Sequence, residues 1–247
     1  MELFINKPVY FCLHGPSLHN LDDNIEKFAD KDVYWMTIST LRPISDMLQK
    51  IDKQVDIFLT SIVRVIQAIQ RDIINFLQRD NTLLLSSTRG ALEINQFLPK
   101  DRDMSLLWDF NWTSGPHPNP QSRLLANDFG FGFNTMTGAL TSLMMLGFKN
   151  IYLFGADGYL KDPNIRYFSP VEQFYQQKKE EGKNIDTTPS YTAALQADTD
   201  AFNANFWFLA DRWGMTAWNR DCNIINVNPE SRYSVFKKID IKELIGF

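Results

Sequence analysis

A chain of 247 residues with 44% hydrophobic, 13% aromatic and 22% charged residues can bury a sizeable core and is too rich in aromatics for a disordered segment. Its formal charge is −4, and no Lys/Arg run is longer than Lys178-Lys179 or Lys237-Lys238, which excludes the basic stripe of a generic nucleic-acid binder. Cys12 and Cys222 make neither a CxxC pair nor a disulfide framework, no apolar run reaches the about 18 residues of a membrane span, and Met1 to Lys7 lacks a basic n-region and a long apolar core, so a cytoplasmic protein is expected.

In chain order, Val9-Tyr10-Phe11-Cys12-Leu13 is an apolar run suited to a strand covered on both faces, and it delivers the turn His14-Gly15-Pro16-Ser17-Leu18. In a parallel sheet this turn stands where ligands collect, and Gly15 allows close approach to the backbone. A short helix is predicted over Asp22 to Phe28, a strand over Val33 to Ile38, a helix over Arg42 to Lys50 and a strand over Val55 to Thr60. Ile62 to Gln78 carries a 3.6-residue apolar stripe, Thr82 to Ser86 is a fourth strand, and Leu92 to Leu98 a short helix. The β-α alternation implies right-handed parallel crossovers in one Rossmann-like α/β domain spanning 1–247, a mostly parallel sheet with helices on both faces and a small lid or insertion.

The alternation breaks from Trp108 to Gly132, a stretch of Trp, Asn, Gly, Pro and Phe without a period, expected as an ordered loop insertion. It resumes with a helix from Thr135 to Leu146 closed by Gly147, then the strand Ile151 to Phe154 and the turn Gly155-Ala156-Asp157-Gly158-Tyr159. Lys161 to Pro189 is expected as a mobile flap, its polar Lys178 to Thr188 part lacking an apolar stripe. A long helix follows over Thr192 to Trp213, then short strands at Thr216 to Trp218 and Asn223 to Asn226, and a last helix over Glu230 to Lys237.

Common site motifs are missing: there is no GxxxxGK[ST] loop, HExxH or GxSxG, and Gly130-Phe131-Gly132 lacks the third glycine of a dinucleotide loop. Asp101-Arg102-Asp103 and Asp198-Thr199-Asp200 are paired carboxylates of the kind that hold a hard cation, the first in a solvated loop and the second within a helix. Asp157, at a strand end, is placed to hold a ribose or Mg²⁺, or to cap its own turn. His14 and His117 are both candidates to face one cleft, and His14 would titrate near the working pH of a general base; His19 reads as a surface residue.

Val9 to Leu18, with its Gly-Pro-Ser-Leu end, Leu146 to Asp157, and Asn228-Pro229-Glu230-Ser231 together resemble the bacterial sialyltransferases that decorate lipooligosaccharide. They are similar as well to the motility-accessory-factor glycosyltransferases and to the archaeal hydroxymethylpterin pyrophosphokinases. The likeness runs in order along nearly the whole chain in short pieces. It implies a nucleotide cleft lined by Gly15, Pro16 and Ser17, with His14 in place of a nucleotide-contacting Asn, and with Thr37 and Thr60 where that family has two further Asn. It implies that Thr135 stands for a donor-contacting Ser, and that Tyr159 and Tyr167 form the tyrosine pair whose hydroxyls hold the leaving phosphate. The chain departs from the pattern where the family's general-base His falls at Leu195, aligned through Thr199-Asp200, and where its site Arg falls near Gly132.

The resemblance thus implies a glycosyltransferase-like enzyme that uses a nucleotide-sugar donor, takes a bacterial surface glycan or protein as acceptor and requires no cofactor. Two alternatives stand beside it: a Mg-dependent pyrophosphokinase-like enzyme using ATP, with Asp157 near the metal, and a non-catalytic nucleotide-sugar binding module, which the missing His favours. Oligomeric state is left open.

Overall fold

The computed structural model describes residues 7–79, 82–98, 107–110, 135–158, 167–183, 185, 192–212 and 221–246. Its strands are β1 (Val9–Cys12), β2 (Tyr34–Ile38), β3 (Ile57–Leu59), β4 (Leu83–Ser87), β5 (Leu107–Phe110), β6 (Asn150–Phe154), β7 (Asn223–Asn226) and the two-residue β8 (Lys237–Lys238). They form one sheet in the order β5-β4-β3-β2-β1-β6-β7-β8, every pair parallel. This is the expected Rossmann-like α/β fold.

Strand alternation divides the side chains between two cores. Tyr10 and Cys12 of β1 join Trp35, Phe58, Leu84 and Phe154 on one face, while Val9, Phe11 and Leu13 join Met36, Leu59, Leu85 and Leu153 on the other. On the first face Tyr10 meets Phe28, Trp35, Tyr152 and Phe154 edge-on, with ring centroids 5.2 to 5.9 Å apart. Helices Arg42–Gln49, Val63–Ala68, Gln70–Leu77 and Ser169–Glu180 cover that face, and helices Thr135–Met145 and Thr192–Arg212 cover the second. The Thr135–Met145 helix is buried almost throughout because its polar atoms are satisfied internally: Thr141 Oγ1 donates to Thr137 O at 2.9 Å and Ser142 Oγ to Gly138 O at 2.7 Å.

Several boundaries differ from the sequence expectation. The helix expected over Ile62 to Gln78 is two helices, broken at Ile69, whose φ of −118° and ψ of 23° leave helical space while its side chain is buried. Leu107–Phe110 is a strand paired with β4, so the loop expected from Trp108 does not start there; residues 111–132 of the expected insertion lie outside those described. No helix forms over Glu230 to Lys237. There Asn228 Oδ1 accepts from Glu230 N at 3.0 Å and Ser231 Oγ from Tyr233 N at 3.1 Å, local bonds that compete with a helix, and the last helix is Ile241–Ile245, opened by an Asp240/Glu243 capping box. The segment expected as a flap carries the 12-residue Ser169–Glu180 helix, which buries Val171 and Phe174. The strand expected at Thr216 to Trp218 lies outside the described residues.

Candidate functional site

Because the strands are parallel, the loops that follow β1, β2, β3 and β6 leave one edge of the sheet. The chain steps outward from β1 to β5, then places β6 on the other side of β1, so the topological switch point lies between β1 and β6. Open α/β sheets bind ligands at that point. Here the two loops are tied to each other: Leu13 N donates to Phe154 O at 2.7 Å and Gly15 N to Gly155 O at 2.9 Å. A Cβ on Gly15 would sit 2.5 Å from Gly155 O and closer still to Asp157 Oδ2. The close approach for which Gly15 is needed is therefore made by the protein's own β6 loop.

Asp157 holds this arrangement together. It is buried; its Oδ2 accepts from Ser17 N at 2.8 Å, its Oδ1 from Asn228 Nδ2 at 2.6 Å, and its carbonyl from Arg232 N at 2.8 Å. One residue thereby joins the loops after β1, β6 and β7. Asn226 Nδ2 and Ser231 Oγ both donate to Ala156 O, at 2.9 and 2.6 Å, which explains why the Asn228 to Ser231 stretch accompanies the Gly155 to Asp157 turn. With a protein donor on each carboxylate oxygen, Asp157 fits the role of a buried clamp better than that of a Mg²⁺ ligand.

Beside this clamp the structure gathers His14, Thr40, Tyr167 and Tyr175. Thr40 Oγ1 lies 3.1 Å from His14 Nε2, and Tyr175 OH 3.5 Å from Nδ1; Tyr167 packs edge-on against Tyr175 with centroids 4.9 Å apart. Thr40 is presented by Ser39, a non-glycine residue in the left-handed region at φ 58°, a local strain of the sort that persists where surrounding structure enforces it. Phe168 N donates to His14 O at 2.8 Å, and His19 Nε2 lies 3.0 Å from Ser169 Oγ, so the Ser169–Glu180 helix is moored to the first turn at its start.

His14 keeps part of its surface exposed, yet it lies in a recess crowded enough that burial pushes the imidazole down to about 4, against smaller opposing contributions from backbone hydrogen bonds at Ile38 and Thr40. This corrects the expectation of a ring titrating near neutral pH: His14 is a neutral hydrogen-bonding group at working pH.

The remaining expected residues are distributed as follows. Pro16 opens the 3-10 turn Pro16–Leu18, and Ser17 Oγ is buried without a hydrogen-bond partner among the described residues. Thr37 is fully buried and donates to Cys12 O at 3.0 Å, a bond inside the sheet. Thr60 sits at the end of β3, its Oγ1 buried and without a partner among the described residues, its carbonyl accepting from Ser86 Oγ at 2.6 Å. Thr135 is the half-buried first residue of its helix, which in a β-α-β crossover runs antiparallel to the strands and so begins at the ligand edge. His117, Tyr159, Asp101 and Asp103, and the Leu195 side chain, lie outside the described residues. Asp198 and Asp200 are exposed on the Thr192–Arg212 helix. Among the described residues no group of three or more His, Cys, Asp or Glu gathers as a metal site.

Two residues of the cluster escape a reading by sequence. Thr40 lies beyond a strand end whose left-handed turn nothing announces. Tyr175 had a legible signal: Val171, Phe174 and Lys178, spaced by three and four residues, mark a buried helical stripe that carries it.

Fold and edge together define a doubly wound parallel α/β protein with a cluster of polar and aromatic side chains beside its switch point. Compared with known proteins, the chain matches no family model and no curated protein.

Proposed function

We propose that the protein is a glycosyltransferase-like enzyme that moves a sugar from a nucleotide-activated donor to a glycan or protein acceptor, as its resemblance implies. The observation that carries this reading is the convergence of His14, Thr40, Tyr167 and Tyr175 at the carboxyl edge beside the β1–β6 switch point. In the transfer the acceptor hydroxyl attacks the anomeric carbon, the bond from that carbon to the donor phosphate breaks, and negative charge grows on the departing phosphate. Phenol hydroxyls directed at that charge stabilise it without a metal. A neutral His14 serves by orienting phosphate or acceptor through a hydrogen bond, which leaves His117 as the histidine to test as proton acceptor.

The Mg-dependent pyrophosphokinase reading is weakened because both Asp157 oxygens already accept protein hydrogen bonds. A thermal-shift screen of nucleotides and nucleotide sugars with and without Mg²⁺, followed by nucleotide-release assays, tests the choice. Tyr167→Phe and Tyr175→Phe are each expected to lower turnover roughly 10²-fold and leave the fold intact. Stabilisation by a nucleotide sugar without turnover points to the binding module; no stabilisation by any of them overturns the reading.

A further inference from the structure

Tyr175 contacts His14, and three residues further along the same helix Lys178 lines a different recess, of about 470 Å³. Its walls come from Arg42, from the joint between helices at Ile69, and from the end of the Ser169–Glu180 helix and the turn after it. Four cations surround it, Arg42, Arg71, Lys178 and Lys183, against two carboxylates, Asp72 and Glu181. Two of the cations are committed: Arg42 Nη2 binds Asp72 Oδ1 at 2.7 Å, and the buried Lys178 Nζ binds Glu181 Oε2 at 2.8 Å. Arg71 and Lys183 are exposed at the rim, and Arg71 forms no ion pair among the described residues. Asp46 interacts with Arg42 and Asp72 but does not line the recess, so it trims the positive excess without cancelling it.

The break at Ile69 brings two helix ends to the recess, the last residues of Val63–Ala68, Gln67 and Ala68, and the first of Gln70–Leu77, Gln70 and Arg71, so the opposed partial charges of the two ends offset each other and the positive excess rests on the guanidinium and ammonium groups. A fork donor, an ammonium and amide donors around one opening suit a ligand with several closely spaced acceptor oxygens.

We infer that this recess is an anion site, separate from the side-chain cluster at His14, that takes a phosphate monoester or pyrophosphate group of a small molecule. Calorimetric titration of the full chain with inorganic pyrophosphate, at ionic strength matched with NaCl, should show saturable binding. Arg71→Ala/Lys183→Ala should weaken it about tenfold or more, while Lys179→Ala, an exposed lysine of the same helix that does not line the recess, should leave it unchanged. A hexose phosphate titrated in parallel separates the two sources of the group: tighter binding of either one supports the site and names the better ligand. Absence of saturable binding by both, or equal weakening by Lys179→Ala, would mean a diffuse ionic atmosphere and overturn the proposal. Nucleotide-sugar stabilisation measured on the double variant separates this site from the donor site proposed at His14. It should be unchanged; joint loss of nucleotide-sugar and pyrophosphate binding overturns the separate site.

Discussion

Gly15 tolerates no side chain because a fixed carbonyl, Gly155 O, would stand 2.5 Å from its Cβ, and that carbonyl is itself held by the Gly15 amide. Gly15 has an ordinary extended backbone, φ −68° and ψ 159°, so crowding alone decides the outcome. Gly15→Ala should lower stability by about 1–3 kcal/mol. Gly182, at φ +78° with open space where a Cβ would stand and nothing within 4 Å of it, should lose only about 1 kcal/mol on becoming Ala, from backbone strain. Urea melts of the two variants compare them, and a Gly15→Ala protein as stable as the parent would remove the tight β1–β6 junction. Among the described residues, two groups of opposite sign carry the large shifts between pH 4 and 7. The His14 ring takes its proton at about 4 in the fold and near its ordinary 6.5 in the unfolded chain, so the unfolded chain binds more protons between those values. Its contribution is complete above pH 6.5 and lost as pH falls toward 4. Asp56, raised by burial to about 6 although it accepts from Trp35 N at 2.8 Å, works in reverse: the fold holds its proton longer, so stability falls as pH rises from about 4 to 6. The two nearly offset each other in the parent. In Asp56→Asn the His14 dependence should dominate, with stability rising by about 2–3 kcal/mol between pH 4.5 and 7, and a flat profile in that variant would contradict a depressed His14.

Among the elements, the Ser169–Glu180 helix links the core to the site. Phe168 is fully buried and packs against His19 at 4.8 Å, while its amide holds His14 O, so a single residue moors the helix on both its apolar and its polar side. Phe168→Ala should cost about 3–5 kcal/mol. Hydrogen exchange should then quicken more in residues 169–180 than in β1 or β6; uniform quickening would show that the helix is not separately moored. The break at Ile69 belongs to this scale too, because an unbroken 62–78 helix would have no start at Gln70 to line the recess beside Arg42. The apolar stripe of that segment continues across the break, which is why periodicity alone reads it as one helix.

In the molecule as a whole, the strand order places β1 and β6 in the interior of the sheet and β5 and β8 at its margins. Amide exchange should be slowest at Tyr10 to Cys12 and Ile151 to Phe154 and much faster at Lys237 and Lys238, because opening the centre requires unfolding both cores. Equal protection at centre and margin would contradict this order. Among the described residues no helix is long and apolar enough to cross a membrane.

The α/β class and the place of the switch-point turns are legible in the residues alone, because continuous apolar runs such as Val9 to Leu13 and Ile151 to Phe154, each ending in glycine turns, carry their burial and their direction locally. Gly15 and Asp157 stand out at the two strand ends for separate reasons, and Ser17 through the resemblance; that the three touch one another shows only in the fold. What those groups touch is set by packing between distant segments. Asp157 turns inward because Ser17 N and Asn228 Nδ2, 140 residues behind it and 71 ahead, converge on its two oxygens. His14 loses its near-neutral titration because Thr40 and the Ser169–Glu180 helix crowd it from distant parts of the chain. Local pattern records how a segment prefers to fold and which face it buries; a hydrogen-bond partner or a desolvated ring depends on segments far away in sequence, whose approach only the packed sheet defines.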